Sequence, residues 1–236
     1  RVPRGSHDEI QHLSRDKNLM QAFHNDQDIH DTTARLIFGR RPSTGNKKDP
    51  ISYSMRDTAK RINFGIIYGM SAFGLSKDLS IPQEEAQEFI DQYFLRYPGV
   101  KNFMESEIQK ARDEGFVVTL LNRRRYLPEI QSKNTSLKQF AERQAINTPV
   151  QGSAADLMKL VMINIQNEIE KRSLHSKMII TVHDELVFDV PEKEKDLMAE
   201  LVGRHMEHSL KLSVPIKATV KIGKNWLDME EVARSP

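Results

Sequence analysis

Apolar positions recur at helical intervals through the earlier part of the chain and give way to extended runs in the later part. Ile10, Leu13, Leu19, Met20 and Phe23 predict helix over residues 8–23, interrupted near Ser14. Asp28-Ile29-His30 opens a second helix carrying Ala34, Leu36, Ile37 and Phe38, with Gly39 as its natural stop. Residues 41–52 hold two Pro, Gly, Asn and two adjacent Lys, the composition of an exposed, mobile loop. A helix over Arg56–Gly69 follows, with Ser54 or a near neighbour as cap. Pro82 begins a helix through Phe94, its first turn loaded with Glu84 and Glu85 as the helix dipole favours. Tyr97-Pro98-Gly99 breaks it, and another helix runs to about Glu114 before Gly115.

Val117–Leu121 and Tyr126-Leu127 read as a hairpin around Asn122-Arg123-Arg124-Arg125. Residues 134–172 are largely helical, with a kink expected at Pro149 and Gly152. Met178–Val182 and Leu186–Val190 are β-rich apolar runs flanking His183-Asp184-Glu185, a hairpin with its polar residues at the turn. Pro191 starts a helix through about Leu210. Ile216, Ala218, Val220 and Ile222 alternate, so this segment is expected as a strand on the same sheet. A helical body followed by a small antiparallel sheet with packed helices is an α+β arrangement.

Within the helix over Arg56–Gly69, Arg56, Lys60, Phe64 and Tyr68 recur every four residues and share one face. That row spans about 18 Å at 1.5 Å per residue. Cations stand at one end and aromatics at the other, which suits a ligand with a polyanionic end and a planar end, such as a nucleoside triphosphate. The plainer reading is an amphipathic helix whose Phe64 and Tyr68 enter a core while Arg56 and Lys60 stay solvated.

Composition narrows the classes. The chain has 236 residues, enough for one large domain or two smaller ones with a real core. No run approaches the roughly 20 apolar residues that a membrane span needs, so no membrane partner is expected. Cysteine is absent, which excludes disulfides and thiolate chemistry and suits a reducing cytosol. A net charge of +2 is too mild to name a partner, so the placement of cations matters more than their sum. Residues 1–7 read as an expression-tag remnant. The sequon Asn134-Thr135-Ser136 carries no meaning without a secretory signal.

Three further constellations carry candidate chemistry. Asp184 and Glu185 offer hard oxygen ligands suited to Mg²⁺ or Mn²⁺, and neighbours on a strand point to opposite faces, so only one need reach a given metal. A solvated turn would favour Asp there equally. Arg143, Asn147 and Gln151 form a second four-residue ladder of donors suited to bases, sugars and phosphates, or simply a polar helix face. Arg123-Arg124-Arg125 concentrates positive charge in a turn, fit for a phosphate backbone or merely solvated. His30 suits a phosphate contact or a helix cap.

Taken in order, Arg-x3-Lys-x3-Phe-x3-Tyr-Gly, Arg-x3-Asn-x3-Gln-Gly and His-Asp-Glu between apolar strands resemble the C-terminal part of family A DNA polymerases of the bacterial DNA polymerase I type. Asp28-Ile29-His30, Tyr97-Pro98-Gly99-Val100, Asn122–Pro128, Ala141–Asn147 and Gly223-Lys224-Asn225-Trp226 support the resemblance, which covers about residues 12 to 229. It implies a fingers subdomain over 8–133 and the C-terminal part of a palm subdomain over 134–236. It implies that Arg56, Lys60 and His30 bind nucleotide phosphates, with Lys60 also protonating the departing pyrophosphate. Phe64 would lie against sugar and base. Tyr68 would stack near the templating position, with Gly69 and Ser71 beside the template strand. Arg143, Asn147, Gln151 and His183, with Arg123, Arg124 and Arg125, would hold primer–template DNA. Asp184 would ligate catalytic Mg²⁺, or Mn²⁺, and Glu185 would assist. The implied reaction is attack of a primer 3′-hydroxyl on the α-phosphate of a deoxynucleoside triphosphate, releasing pyrophosphate, in a bacterial cytosol.

The family pattern also has a first metal-binding aspartate on a palm strand just before the segment matching His12-Leu13-Ser14, with thumb and any exonuclease domain further upstream. Counting back from His12 puts that aspartate near Arg1, and Asp8-Glu9-Ile10 does not reproduce its segment. The expectation is a polypeptide that polymerises poorly or not at all by itself. Its palm sheet is expected to have an open edge suited to a second copy or a complementing fragment. The alternative is a non-catalytic module that binds DNA or nucleotide. A metal-dependent nuclease using Asp184 and Glu185 is disfavoured, because no further acidic cluster accompanies them.

Overall fold

The computed structural model describes residues 12–24, 28–38, 50–212 and 216–232. The loop expected over 41–52 falls mostly outside them, as does the stop at Gly39. The chain divides into two compact units, Ile10–Gly152 and Ser153–Pro236, whereas the sequence expectation sets the boundary at 133/134.

The first unit is mainly helical. Residues 12–14 are helical, and the expected interruption near Ser14 lies at Arg15 and Asp16. Helix α1 (Lys17–His24) then begins, with Asp16 Oδ1 accepting the Leu19 N–H at 2.9 Å. The other oxygen of Asp16 accepts the Gly99 N–H at 2.7 Å. A Cβ on Gly99 would sit 2.8 Å from the Asp16 Cα, so the break at Tyr97-Pro98-Gly99 is also a close crossing of two segments. Helix α2 (Ile29–Phe38) is followed by α3 (Pro50–Ile67). The latter starts earlier than Ser54, because proline at a first helical position costs no hydrogen bond. Next come α4 (Ala72–Leu79), α5 (Gln83–Arg96) and α6 (Pro98–Glu114). Ile62, Ile66 and Ile67 of α3 are buried with Leu75, Ile90, Tyr93, Tyr97 and Val100 in one cluster. Each fully buried aliphatic side chain among them stabilises by about 1.5–3 kcal/mol.

The hairpin joins β1 (Phe116–Val118) to β2 (Arg124–Tyr126) through residues 119–123, where the expected turn covers 122–125. Arg124 and Arg125 lie on β2, opposite Val118 and Val117, and only Arg123 belongs to the turn. Alternation sends Arg124 and Arg125 to opposite faces, Arg125 on the side of its buried partner Val117, and both long side chains still reach solvent. Asn134 caps α7 (Thr135–Lys171), its Oδ1 accepting the Ser136 and Leu137 N–H groups. That is the role the sequon residue plays. The helix runs as one element through Pro149 and Gly152.

The second unit takes α7 from Ser153 onward, then β3 (Lys177–Val182), β4 (Glu185–Asp189), α8 (Lys195–His208), β5 (Lys221–Gly223) and β6 (Met229–Glu231). Its core joins Leu157, Val161, Ile165 and Ile169 of α7 to Met198 and Leu201 of α8, with Met178, Leu186 and Phe188 packed on them. Among the described residues the strands form three two-stranded antiparallel sheets. Residues 216–222 therefore do not join β3 and β4 as expected. Ile216 packs on the helical core and the Ala218 N–H bonds Glu207 Oε1 at 2.9 Å, so the segment docks on α8. Ladder pairing begins only at Lys221, with β6 as partner. This is an α+β fold. No helix among the described residues is long and apolar enough to cross a membrane.

Candidate nucleic-acid interface

The row expected on α3 is present. Arg56, Lys60, Phe64 and Tyr68 are all half-buried, while Ala59, Ile62, Asn63, Ile66 and Ile67 on the adjoining face are buried. The aromatics are not core plugs: Phe64 and Tyr68 stack with ring centroids 6.0 Å apart and planes inclined by 26°. Tyr68 also touches the edge of the core cluster. The His30 ring continues the series, 5.8 Å from Phe64. After the last turn, Gly69 adopts φ +74°, a conformation that glycine alone adopts cheaply. A Cβ there would stand 3.2 Å from Ile146 and 3.3 Å from Arg143 of α7. Ser71 caps α4 by accepting the Gly74 N–H at 3.3 Å.

Arg56 is not simply solvated. Its guanidinium is paired with Asp28 Oδ2, 3.0 Å from Nε, and its Nε lies 3.3 Å from Asp31 Oδ1. Burial works against the Asp28 carboxylate, but the hydrogen bond and charge of Arg56 hold its pKa below the usual value. Burial, and then the Asp28 charge, push the Asp31 carboxyl upward. His30 is buried, and its pKa falls to about 4 through burial first, with Arg56 and Lys60 adding to the fall and Asp28 opposing it. It is therefore neutral near pH 7. Its Nδ1 is 3.0 Å from the Asn63 amide nitrogen, so it accepts there and the ring proton sits on Nε2.

A second surface lies on α7 and the β1–β2 hairpin. A concave cavity of about 490 Å³ is lined by Arg123, Arg124, Arg125, Arg143, Asn147 and Gln151, with Thr148 and Gly152 at its wall. The ladder and the arginine run, far apart in sequence, are thus one site. The hairpin is pinned to the helix: Arg123 Nη2 donates to the Gly152 carbonyl at 3.1 Å and Arg125 Nη1 to Thr148 Oγ1 at 3.4 Å. A Cβ on Gly152 would come within 2.6 Å of Thr119 Cγ2, so glycine permits this approach. Arg124 lies over the Phe116 ring at 4.7 Å and Arg143 over Phe140 at 5.9 Å, which steadies both guanidinia. Asn147 donates to the Tyr68 carbonyl at 3.4 Å, joining this surface to the end of α3.

His183 and Asp184 form the exposed two-residue turn between β3 and β4, with His183 at φ +53°. Glu185 lies on β4 opposite Val182. Asp184 offers the hard oxygen that Mg²⁺ takes alongside waters and phosphate oxygens. Among the described residues no three His, Cys, Asp or Glu side chains converge into a metal cage, so Asp184 does not form one by itself. The second unit holds this turn, and the first unit holds the other two surfaces.

The sequence pattern does not single out Asp31, Asn63 or Thr148. Asp28 has a visible signal, since an Asp before a helical run is an N-cap, but its ion pair with a residue 28 positions on has none.

The model of DNA polymerase family A matches residues 10–228. DNA polymerase I of Caldicellulosiruptor bescii is 46% identical over 93% of this chain, and that of Bacillus subtilis 44% identical over the same share. The chain spans about a quarter of the length of these curated relatives, 25% and 24% respectively. The solved POL domain of Pol1 from M. smegmatis, in complex with DNA primer-template and dNTP, superposes with a TM-score of 0.83 and 38% identity. That match covers 91% of this chain and 37% of the other. The chain belongs to DNA polymerase family A.

Proposed function

We propose that this chain is the fingers and C-terminal palm portion of a template-directed DNA polymerase, and that it binds primer–template DNA and a deoxynucleoside triphosphate. The observation that carries the reading is the juxtaposition within one unit of the α3 row and the arginine-lined cavity, tied by Asn147 and Tyr68. The M. smegmatis relative was solved with both ligand classes.

In this reading Arg56 and Lys60 grip nucleotide phosphates and neutralise charge that builds on them. Lys60 delivers a proton to the departing pyrophosphate. His30, neutral and carrying its proton on Nε2, donates to a phosphate oxygen. Phe64 and Tyr68 present stacked ring faces to sugar, base and the templating position, with Gly69 and Ser71 beside the template strand. Arg123, Arg124, Arg125, Arg143, Asn147 and Gln151 hold the duplex by its phosphates and groove edges. His183, in the second unit, is a separate DNA contact in this reading. Asp184 would hold a divalent magnesium or manganese ion, with Glu185 assisting. Such a metal, when bound, activates a 3′-hydroxyl and steadies the leaving oxygens. The bacterial cytosol is the compartment that goes with this role.

Two-metal chemistry requires more than one carboxylate, and Asp184 is the ligand the resemblance assigns here. Ile179, Ile180 and Val182 on β3 are exposed, Ile179 by 54%, which supports a covering strand from a complementing fragment or a second copy. The test is primer extension with Mg²⁺ and nucleotides, with and without an upstream polypeptide bearing the family's first aspartate. Extension restored only by that addition, and abolished again with Asp184→Asn, supports the reading. DNA binding without extension in either case supports a non-catalytic module instead.

A further inference from the structure

Asp28 stands just before α2 and uses its two carboxylate oxygens for different tasks. Oδ1 accepts the His30 N–H at 2.9 Å and the Asp31 N–H at 3.3 Å, which caps the helix. Oδ2 accepts from Arg56, at 3.0 Å from Nε and 2.5 Å from Nη2. One carboxylate therefore fixes the first turn of the helix that carries His30 and the direction of a guanidinium on α3. His30 is held from its other side by Asn63 of α3, 3.0 Å from its Nδ1.

We infer that Asp28 is a positioning residue for nucleotide phosphates, holding the Arg56 guanidinium, and through the cap the His30 ring, in the orientation that receives a deoxynucleoside triphosphate. The inference rests on the nucleotide reading proposed above. An arginine that grips phosphate gives up rotamer freedom, and a guanidinium clamped by a carboxylate has given it up beforehand. A planar guanidinium carries five N–H donors in a fixed fork, so a carboxylate on one edge is compatible with a phosphate on another. Asp28 and Asp31 also oppose an incoming anion. The pair stands partly in solvent, 39% and 36% exposed at Arg56 and Asp28, where that repulsion is screened. Orientation therefore outweighs repulsion.

The test is calorimetric titration of the 236-residue chain with Mg²⁺–dATP, for wild type, Asp28→Asn, Asp28→Ser, Arg56→Ala and Asp28→Asn/Arg56→Ala. Asn and Ser both keep an N-cap acceptor while removing the charge, and Ser serves if Asn fails to fold. The expected result is affinity about tenfold weaker for each Asp28 variant, the scale of one charge-assisted hydrogen bond, with thermal melting lowered by no more than about 4 °C, as for loss of one partly exposed ion pair. The double variant should bind no more than about twofold more weakly than Arg56→Ala, because Asp28 acts through Arg56. Losses that simply add, unchanged affinity in the Asp28 variants, or tighter binding would each overturn the inference while leaving the nucleotide reading intact. If wild type binds no dATP, or Arg56→Ala binds as wild type does, the nucleotide reading itself fails and the inference with it.

Discussion

The Asn147 side-chain amide donates to the Tyr68 backbone carbonyl at 3.4 Å, linking the end of the α3 row to the arginine-lined cavity. Asn147→Ala removes the donor and is expected to cost about 1 kcal/mol, the net worth of one hydrogen bond. In a domain of this size that lowers the melting temperature by about 2–4 °C. Asn147→Asp should cost more, because a carboxylate cannot donate and would face the carbonyl. Thermal melts of the two variants beside wild type check the order.

His30 predicts a pH dependence whose sign follows from burial. Its pKa in the folded chain is about 4, below the ordinary value of 6.5. The unfolded chain therefore binds a proton more readily between these values, and folding stability falls as pH drops from about 6.5 to about 4. The full effect is on the order of 3 kcal/mol. His12 and His205 are also lowered, chiefly by burial, so they contribute in the same direction. His30→Gln should flatten the largest part of that slope. Denaturant midpoints measured across this pH range would contradict the account if the variant kept the wild-type slope.

Gly152 predicts a steric pair. Gly152→Ala would place a methyl 2.6 Å from Thr119 Cγ2, against a hairpin held by Arg123 and Arg125. Overpacking of this kind costs about 1–3 kcal/mol. Thr119→Ser removes the offending methyl and keeps the hydroxyl that accepts the Arg123 N–H at 3.1 Å. The double variant should therefore recover most of the stability, as chemical denaturation would show.

The spacing along α3 is legible because helical periodicity is local, and the four residues do share one half-buried strip. The helix boundaries at Glu114 and Arg96 are legible for the same reason, marked by Gly115 and Tyr97-Pro98. The cavity is not, because it forms when a hairpin docks on α7, and no local pattern records that Thr119 meets Gly152. Nor does alternation at 216–222 distinguish a paired strand from an extended segment laid on α8, since both bury every second residue. The Asp28–Arg56 pair shows the same limit: the cap is visible in the sequence, but its partner in space is not.

The most direct measurement of the central claim is the affinity of this chain for primer–template DNA across a salt series, read by fluorescence anisotropy. Wild type should bind with log affinity falling linearly against log salt. Arg143→Ala and Arg125→Ala, both at the cavity, should each weaken binding and reduce that slope by about one for every phosphate left without its cation. Affinity indifferent to salt, or unchanged in both variants, would contradict it.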